Sequence, residues 1–245
     1  MDLTIFVPAY NEEKLIGKTL DEIRDAASKF SFSYEVLVYD DASRDRTADV
    51  VREWIAAHKA EGVVRVISNE KNAGIGVNYF RAAEQGTGEY FMVVFGDNAE
   101  PEESLRRVFN LMGKADVIIP YFDTRLFNMR HNGDNRTFIR RLISIVFAAM
   151  VRLISGHCIR YYNGFVMHRR TNVLKHRVSA YGLGYQAELL CSILNEPGIS
   201  YLEVKCFNND RASGMPTAFK LKNVVSVGQS LWRIFMRRFK ALPAG

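Results

Sequence analysis

Short apolar runs alternate with stretches of helical periodicity along the first 120 residues, and this alternation constrains the fold more than any other feature. The apolar runs have the length of buried strands and cover residues 3–7, 35–39, 63–68, 90–95 and 117–120. Helical spacing of apolar residues covers 12–30, 46–61 and 77–85, and a further helix begins at Pro101. Repeated strand–helix–strand units connect parallel strands. The sequence therefore predicts an α/β fold, a doubly wound and mostly parallel sheet with helices on both faces.

The second half of the chain has a different pattern. Residues 123–136 are polar and rich in turn-forming residues, which predicts a long loop. The elements predicted after it are an apolar helix over 139–154, a strand over 161–168, a helix over 185–194, a strand over 201–207 and an amphipathic helix over 219–240. A chain of 245 residues can form one domain with a large core. We expect that domain over residues 1–218 and a basic C-terminal helix within 219–245.

Polar residues follow the first two predicted strands at the point where each strand ends. Pro8, Tyr10 and Glu12 follow the first strand, and the pair Asp40 and Asp41 closes the second. Ligands of open parallel sheets bind at the carboxyl ends of the strands. These residues are therefore predicted to hold the base and ribose of a nucleotide, although Asp residues before a helix are also ordinary caps.

The two motifs, in this order, resemble the opening of family-two glycosyltransferases, whose fold is called GT-A. The turn with Asn72 and Gly74 resembles the Asn-x-Gly segment that follows the third strand of the same family. Glycine there lets the backbone approach a ligand closely. The resemblance implies a GT-A type sheet and a nucleotide-sugar donor, with uridine favoured over guanosine as the base.

The same resemblance implies a metal site after the fourth strand. Asp97 stands where GT-A enzymes carry an Asp-x-Asp motif, which binds a divalent cation on the donor diphosphate. Hard oxygen ligands suit Mg²⁺ or Mn²⁺. Ala99 replaces the second acid, so the carbonyl oxygen of Asn98 or the carboxylate of Glu100 is expected to complete the site. The structural alternative is a turn in which Asp97 caps the next helix.

Five segments of the second half occur in an order similar to that of a narrower group of glycosyltransferases. The segments begin at Arg140, Tyr162, Tyr185, Glu203 and Arg211. That group is the polyprenyl-phosphate sugar transferases of the dolichol-phosphate mannose synthase type. They usually have an Asp and Ser-Gly-Phe where this chain has Tyr161-Tyr162-Asn163-Gly164-Phe165. The resemblance implies a lipid-linked phosphate as the acceptor.

Arginines are the expected phosphate ligands, because guanidinium groups bind phosphate oxygens in bidentate fashion. The candidates are Arg125, Arg136, Arg140 and Arg211. Glu188 lies on the predicted helix 185–194, where the family has an acidic residue near the acceptor. It is either a general base or the partner that holds a neighbouring arginine. A phosphate acceptor favours the second role, since a phosphate monoester has a second pKa of about 6 and needs no base at neutral pH.

The net charge of +6 hides an asymmetry between the two halves of the chain. Residues 1–120 carry 14 basic and 21 acidic side chains, whereas residues 121–245 carry 19 basic and 6 acidic side chains. A basic second half predicts contact with phosphates or an anionic membrane, and no motif for nucleic acid is present. The tail helix, with Trp232 and Phe235 among basic residues, suits a membrane interface. The same pattern also suits docking on the domain or on a partner subunit of a homo-oligomer.

Three widely spaced cysteines without a CxxC pair indicate a reducing compartment rather than a disulfide framework. The sequence has neither a run of about 18 apolar residues nor the apolar core of a signal peptide. We therefore expect a protein that is peripheral to the cytoplasmic face of the membrane.

The function that these features predict is inverting transfer of a sugar from a nucleotide sugar to a polyprenyl phosphate. Asp97, Glu188 and Arg211 are its expected catalytic residues. One alternative is a glycosyltransferase that acts on a hydroxyl acceptor. The other is a degenerate nucleotide-sugar-binding module without turnover, which the altered Asp-x-Asp suggests.

Overall fold

The computed structural model describes residues 1–122, 138–178, 182, 184–209 and 221–241, with the backbone alone for 138–141, 221–226 and 239–241. The strands of this part of the chain are β1 (Leu3–Ala9), β2 (Tyr34–Asp40), β3 (Val64–Ser68), β4 (Tyr90–Val93), β5 (Val117–Tyr121), β6 (Met167–Arg169) and β7 (Tyr201–Lys205). Its helices are α1 (Ile16–Ala27), α2 (Thr47–His58), α3 (Ile75–Gln85), α4 (Glu102–Phe109), α5 (Phe138–Ser155), α6 (Arg170–Lys175), α7 (Tyr185–Leu194) and α8 (Leu221–Ala241).

The seven strands form one sheet in the order β3-β2-β1-β4-β6-β5-β7. Neighbouring strands are parallel except around β6, which runs antiparallel to both β4 and β5. The chain leaves β1 towards β2 on one side, and β4 lies on its other side. The strand order therefore reverses beside β1, which is where open α/β sheets bind ligands. The predicted doubly wound, mostly parallel sheet is confirmed.

Helices cover both faces of this sheet. Leu20 of α1, Val51 of α2 and Leu105 of α4 belong to the core on one face. Phe80 of α3 and Leu189 of α7 belong to the core on the other face. All four residues of β4 are buried, as expected for a central strand that is covered on both sides.

The strand predicted over residues 161–168 is wrong for most of its length. Only Met167–Arg169 forms a strand, and residues 161–166 form a loop. Gly164 has a φ of +117°, and its N–H and C=O bond the side chain of Gln186 instead of a neighbouring strand. Because β6 is antiparallel, the loop that precedes it lies at the carboxyl edge of the parallel strands.

The C-terminal helix α8 packs on α5 and α7. Its Ile234 is buried, and Arg238 donates through Nη1 to the carbonyl oxygens of Leu153 and Ile154 at the end of α5. One face of the helix therefore docks on the domain, while Trp232 on the same helix is 63% exposed. Among the described residues, no helix has the length and apolar character needed to cross a bilayer.

Candidate active site

The loops that follow β1 and β2 are tied together by hydrogen bonds. Asn11, at a φ of +58°, donates its backbone N–H to Ser43 Oγ (2.9 Å) and accepts from the Arg44 N–H at Oδ1 (2.8 Å). Asparagine tolerates this left-handed conformation better than most residues. The Glu12 N–H donates to Thr47 Oγ1 (2.8 Å). These contacts fix the carboxyl ends of the two strands relative to each other.

The residues predicted to hold the base and ribose border these loops. Tyr10 is 46% exposed, and Pro8 and Glu12 are half-buried. Asp40 is buried, and its Oδ1 accepts from the Ser43 N–H (3.1 Å). The structure thus brings the predicted residues to one edge of the sheet, where Asp40 also shapes the turn after β2.

Asp45 supports both loops as well as the helix that follows it. Its Oδ2 accepts from the Glu13 N–H (3.2 Å), and its Oδ1 accepts from the N–H and hydroxyl of Thr47 at the start of α2. Burial raises the pKa of the Asp45 carboxyl, but the hydrogen bonds from Thr47 and Glu13 outweigh burial and leave the pKa below its ordinary value. Its charged form is therefore part of the folded loop structure.

Asp41 is buried at the end of β2, where its carboxylate holds the turn that precedes α3. Oδ1 accepts from Asn69 Nδ2 (2.8 Å) and the Ala73 N–H (2.8 Å), and Oδ2 accepts from the Gly74 N–H (2.9 Å). Burial raises its pKa, but the hydrogen bonds from these three groups outweigh burial and leave the pKa below its ordinary value. A carboxylate has about four acceptor sites, so about one is left for a ligand.

The turn held by Asp41 borders a cleft. Asn72 Nδ2 donates to the Asp41 carbonyl oxygen (3.1 Å), and Gly74 has a φ of +86° that favours glycine. The cleft has a volume of about 420 Å³ and is lined by Asn69, Glu70, Lys71, Asn72, Ala73 and Arg81. Asn69 and Asn78, which are hydrogen-bonded to each other (2.9 Å), were not among the residues predicted from the sequence. Asn78 is a polar residue on the buried face of α3, and that position was the available signal.

The turn that carries Asp97 is held by a residue from another element, Thr19 of α1. Thr19 is buried, donates to the Gly96 carbonyl oxygen (3.1 Å) and accepts from the Asn98 N–H (3.0 Å). A Cβ on Gly96 would lie 2.9 Å from the Pro8 carbonyl oxygen, so only glycine allows this close approach of the β1 and β4 ends. Thr19 was also missed, although a polar residue within the apolar stripe of α1 is a detectable signal.

Asn98 and Glu100 differ in how they fit a divalent cation beside Asp97. Asn98 has a φ of +54°, and its buried Oδ1 accepts no hydrogen bond from the described residues. Glu100 is buried and accepts from the Phe95 N–H (3.0 Å) at the end of β4. No group of three His, Cys, Asp or Glu side chains in the described part of the chain could hold a metal. An oxygen pair from Asp97 and Asn98, completed by phosphate oxygens, fits Mg²⁺ or Mn²⁺.

The chain returns to the Asp97 turn after β7. Asn209 donates its backbone N–H to the Ala99 carbonyl oxygen (2.9 Å) and its Nδ2 to the Asn98 carbonyl oxygen (3.0 Å). Three of the predicted phosphate ligands, Arg125, Arg136 and Arg211, lie outside the described residues. Arg140 lies in the first turn of α5, and its side chain is outside the described part of the structure.

Glu188 lies inside the protein, between α7 and the C-terminal helix. It is fully buried, and Arg233 donates to its Oε2 (3.2 Å). Arg237 Nη2 lies 3.3 Å from Oε1 as an ion pair without hydrogen-bond geometry, and its Nη1 donates to Ser192 Oγ (2.8 Å). Of its two predicted roles, this arrangement favours the one in which Glu188 holds neighbouring arginines. Removing one partner of a buried ion pair is strongly destabilising.

The family comparison covers most of the chain. Residues 4–177 match the family model described as glycosyl transferase family 2. Relatives with assigned activities match over shorter stretches. A dolichyl-phosphate beta-glucosyltransferase of Trichomonas vaginalis is 28% identical over 168 residues, which are 64% of this chain and 48% of that protein. An undecaprenyl-phosphate 4-deoxy-4-formamido-L-arabinose transferase of Shewanella sediminis is 28% identical over 173 residues, which are 71% of this chain and 49% of that protein. The chain thus spans about half the length of these relatives.

Solved structures share the fold. A mannosyltransferase of Pyrobaculum calidifontis, in complex with GDP-Man and Mn²⁺, has a TM-score of 0.64 and 18% identity, over 97% of this chain and 64% of that one. Glucosyl-3-phosphoglycerate synthase of Mycobacterium tuberculosis, in complex with Mn²⁺, UDP and phosphoglyceric acid, has a TM-score of 0.68 and 16% identity. The match covers all of this chain and 80% of that one. At such identities, the likeness concerns the fold alone.

Proposed function

Because the chain belongs to glycosyl transferase family 2, we propose that it transfers a sugar from a nucleotide-sugar donor to the phosphate of a polyprenyl lipid. The observation that carries this proposal is the joining of three polar turns at the carboxyl ends of β1, β2 and β4. The names of the relatives, which act on dolichyl or undecaprenyl phosphate, support a lipid phosphate as the acceptor.

The donor would lie across the three turns. Pro8, Tyr10 and Glu12 would contact the base and ribose together with the remaining acceptor site of Asp41. Asp40 lies alongside and fixes the turn. The Asn72 and Gly74 turn would line the same pocket, where Gly74 allows close approach of a ligand. Uridine is our preferred base.

Asp97 and Asn98 would hold Mg²⁺ or Mn²⁺ against the donor diphosphate, and Glu100 would support the turn by accepting from the Phe95 N–H. A bound divalent cation would neutralise the charge that develops on the departing diphosphate. Thr19 keeps the turn in place, which limits the reorganisation needed during the reaction.

The acceptor chemistry requires positioning more than a base. A phosphate oxygen of the acceptor would attack the anomeric carbon from the face opposite the nucleoside diphosphate. The new carbon–oxygen bond forms as the bond to the diphosphate breaks, and the sugar inverts. Arg125, Arg136, Arg140 and Arg211 are proposed to orient the two phosphate groups, since a phosphate monoester with a second pKa of about 6 is already mostly dianionic. Glu188 then acts through Arg233 and Arg237, as a residue that positions α8.

We further propose that α5 and α8 form the surface that meets the membrane. Together the two helices contain eight basic residues and no acidic one. Exposed apolar side chains on them are Leu142, Val146, Met150, Leu153, Trp232, Phe235 and Met236. Leu153 is 80% exposed, and the Trp232 and Phe235 rings stack with centroids 5.8 Å apart. Basic residues beside exposed Trp and Phe suit an anionic interface. This surface would place the protein at the cytoplasmic face of the membrane.

Replacing exposed apolar residues of this surface with acidic ones is expected to weaken membrane binding. The double variant Leu153→Glu and Trp232→Glu should bind anionic liposomes at least about ten-fold more weakly than the wild type, because it loses apolar burial and gains two negative charges. The wild type should also bind less tightly as salt rises from 50 to 300 mM, since screening shortens the Debye length.

Leu174→Glu is the control for an acidic substitution elsewhere, because Leu174 is 38% exposed on α6, which packs mainly on α3, α7, β4 and β6. Liposome sedimentation of the three proteins measures the effect. Equal binding by the double variant and the wild type would exclude this surface from the membrane contact.

A screen of nucleotide sugars tests the proposed donor site. UDP-glucose or GDP-mannose at 100 times its dissociation constant should stabilise the fold by about 2.7 kcal/mol. For a chain of this size, the melting temperature should rise by about 5–10 °C. The shift should be larger with Mn²⁺ than with a chelator. A melting temperature that no nucleotide sugar changes, with or without Mn²⁺, would contradict the proposal.

A further inference from the structure

The loop before β6 and the Asp97 turn lie at the same edge of the sheet. In the antiparallel pairing of β4 and β6, Met92 is opposite Met167. Asp97 follows Met92 by five residues, and Asn163 precedes Met167 by four. Both therefore lie beyond the same edge of two neighbouring strands. The nucleotide turns of β1 and β2 lie along this edge as well, so Asn163 is placed next to the proposed path of the donor sugar.

The backbone on the C-terminal side of Asn163 is held rigidly. Gln186 accepts from the Gly164 N–H at Oε1 (3.0 Å) and donates from Nε2 to the Gly164 carbonyl oxygen (2.7 Å). Gly164 has a φ of +117°, and a Cβ there would lie 3.2 Å from the Tyr161 ring. The preceding Tyr162 is buried, and its hydroxyl donates to the His157 carbonyl oxygen. A side chain between these fixed points is well suited to selective contacts.

The side-chain amide oxygen of Asn163, Oδ1, is buried and has no hydrogen-bond partner in the described structure. An unsatisfied buried acceptor destabilises the fold, so such an atom calls for a ligand or another explanation. A carbonyl oxygen can only accept, and the dianionic phosphates of donor and acceptor offer it no hydrogen. The donors that a nucleotide sugar offers are base N–H groups and hydroxyl groups, and those expected nearest the Asp97 turn are the hydroxyl groups of the transferred sugar.

We propose that Asn163 determines sugar specificity by accepting a hydrogen bond from one hydroxyl group of the transferred sugar. The inference rests on the proposed function and adds to it a residue that reads the sugar rather than the nucleotide. Position 163 is also one at which this chain departs from the Ser-Gly-Phe pattern. Gln186 is the positioning residue of the same loop.

The test combines Asn163→Ala with UDP-glucose, GDP-mannose and their 2-, 3-, 4- and 6-deoxy analogues. For the wild type, we expect kcat/KM to fall about ten-fold with one deoxy analogue of the donor that it uses. For Asn163→Ala, kcat/KM with the complete sugar should be about ten-fold lower than for the wild type. The deoxy analogue that affects the wild type should lower the kcat/KM of this variant no further. Its affinity for the free nucleoside diphosphate should stay within two-fold of the wild type. Its melting temperature should be no lower, because an unsatisfied oxygen has been removed.

Asn163→Ser, which shortens the side chain but keeps a hydroxyl oxygen, gives a second variant in case the first does not fold, and should show an intermediate loss. If the variants lost kcat/KM equally with every sugar and also lost affinity for the free nucleoside diphosphate, Asn163 would have a structural role. That result would overturn the inference. An unchanged pattern of deoxy-sugar effects in both variants would also overturn it, while the proposed function would stand. A wild type that neither binds nor uses any nucleotide sugar would instead refute the proposed function, and this inference with it.

Discussion

Replacing Asp97 with alanine is expected to lower the rate of sugar transfer about a thousand-fold or more. The charge that develops on the departing diphosphate would lose its cation ligand, and such stabilisation is commonly the largest contribution to catalysis. The fold should persist, because Thr19 holds the turn through backbone groups of Gly96 and Asn98 and not through the Asp97 side chain. Binding of uridine monophosphate should remain within about three-fold, since the proposed base pocket involves only the other two turns.

Glu100→Gln is the matched control for the Asp97 variant. Its amide oxygen can still accept from the Phe95 N–H, so a supporting role predicts a small loss of transfer. If Glu100 is itself a metal ligand, the loss should approach that of Asp97→Ala. Transfer by Asp97→Ala at a rate near that of the wild type would contradict the metal site. The arginines would then have to stabilise the departing diphosphate.

Replacing Asp41 with alanine is expected to cost about 2–4 kcal/mol of unfolding free energy and to weaken uridine diphosphate binding about ten- to a hundred-fold. The variant leaves the partly buried Ala73 and Gly74 N–H groups without their acceptor. An unsatisfied group costs about 1–3 kcal/mol when it is buried, and partial burial places the sum for the two groups in the lower half of the range for two such groups. At the proposed donor site, the nucleotide would lose both a direct contact and the turn that lines its pocket. Urea unfolding and calorimetric titration measure the two effects.

Comparison with Asp45→Ala separates the contribution of Asp41 to the stability of the fold from its contribution to nucleotide binding. Asp45→Ala should also destabilise the fold, because Asp45 accepts from Glu13 and Thr47, but it should weaken nucleotide binding far less. Equal nucleotide affinities of the two variants would remove Asp41 from the site.

The stabilisation by Asp41 should depend on pH. Its pKa is lowered in the folded protein, so the stabilisation is complete above the ordinary value of about 3.9 and is lost as the pH falls through the folded value. The difference in unfolding free energy between the wild type and Asp41→Asn should therefore be largest near pH 6–7 and shrink below pH 4. A difference that stays constant over this range would mean that the Asp41 charge contributes nothing.

Local periodicity predicted most of the helices and strands, because the formation of such an element depends mainly on residues that are close together in the chain. The helix predicted over 185–194 has those bounds in the structure, and the first five strands lie where apolar runs occur. The loop before β6 was missed because its conformation depends on Gln186, more than twenty residues away. An apolar run is equally compatible with a strand and with a loop held by a distant side chain. The antiparallel direction of β6 likewise depends on pairing that no local pattern reveals.

The candidate site was predicted as a set of positions, not as a network. The sequence indicated Asp41 and Asp97 because each follows an apolar run. It gave no sign that Asp41 holds the turn before α3, since that contact spans about thirty residues. The tail helix shows a similar limit. Amphipathic spacing could not separate docking from membrane contact, and the structure buries Ile234 while leaving Trp232 exposed.

Transfer of labelled sugar to a lipid phosphate tests the central claim most directly. The protein is incubated with Mn²⁺, a polyprenyl phosphate and labelled UDP-glucose or GDP-mannose, and the organic phase is extracted and counted. We predict label in the lipid fraction when polyprenyl phosphate is present, released by mild acid as expected of a glycosyl phosphate, and no label with the matching polyprenol. Label on the polyprenol, or donor that binds but yields no labelled lipid with any phosphate acceptor, would contradict the account.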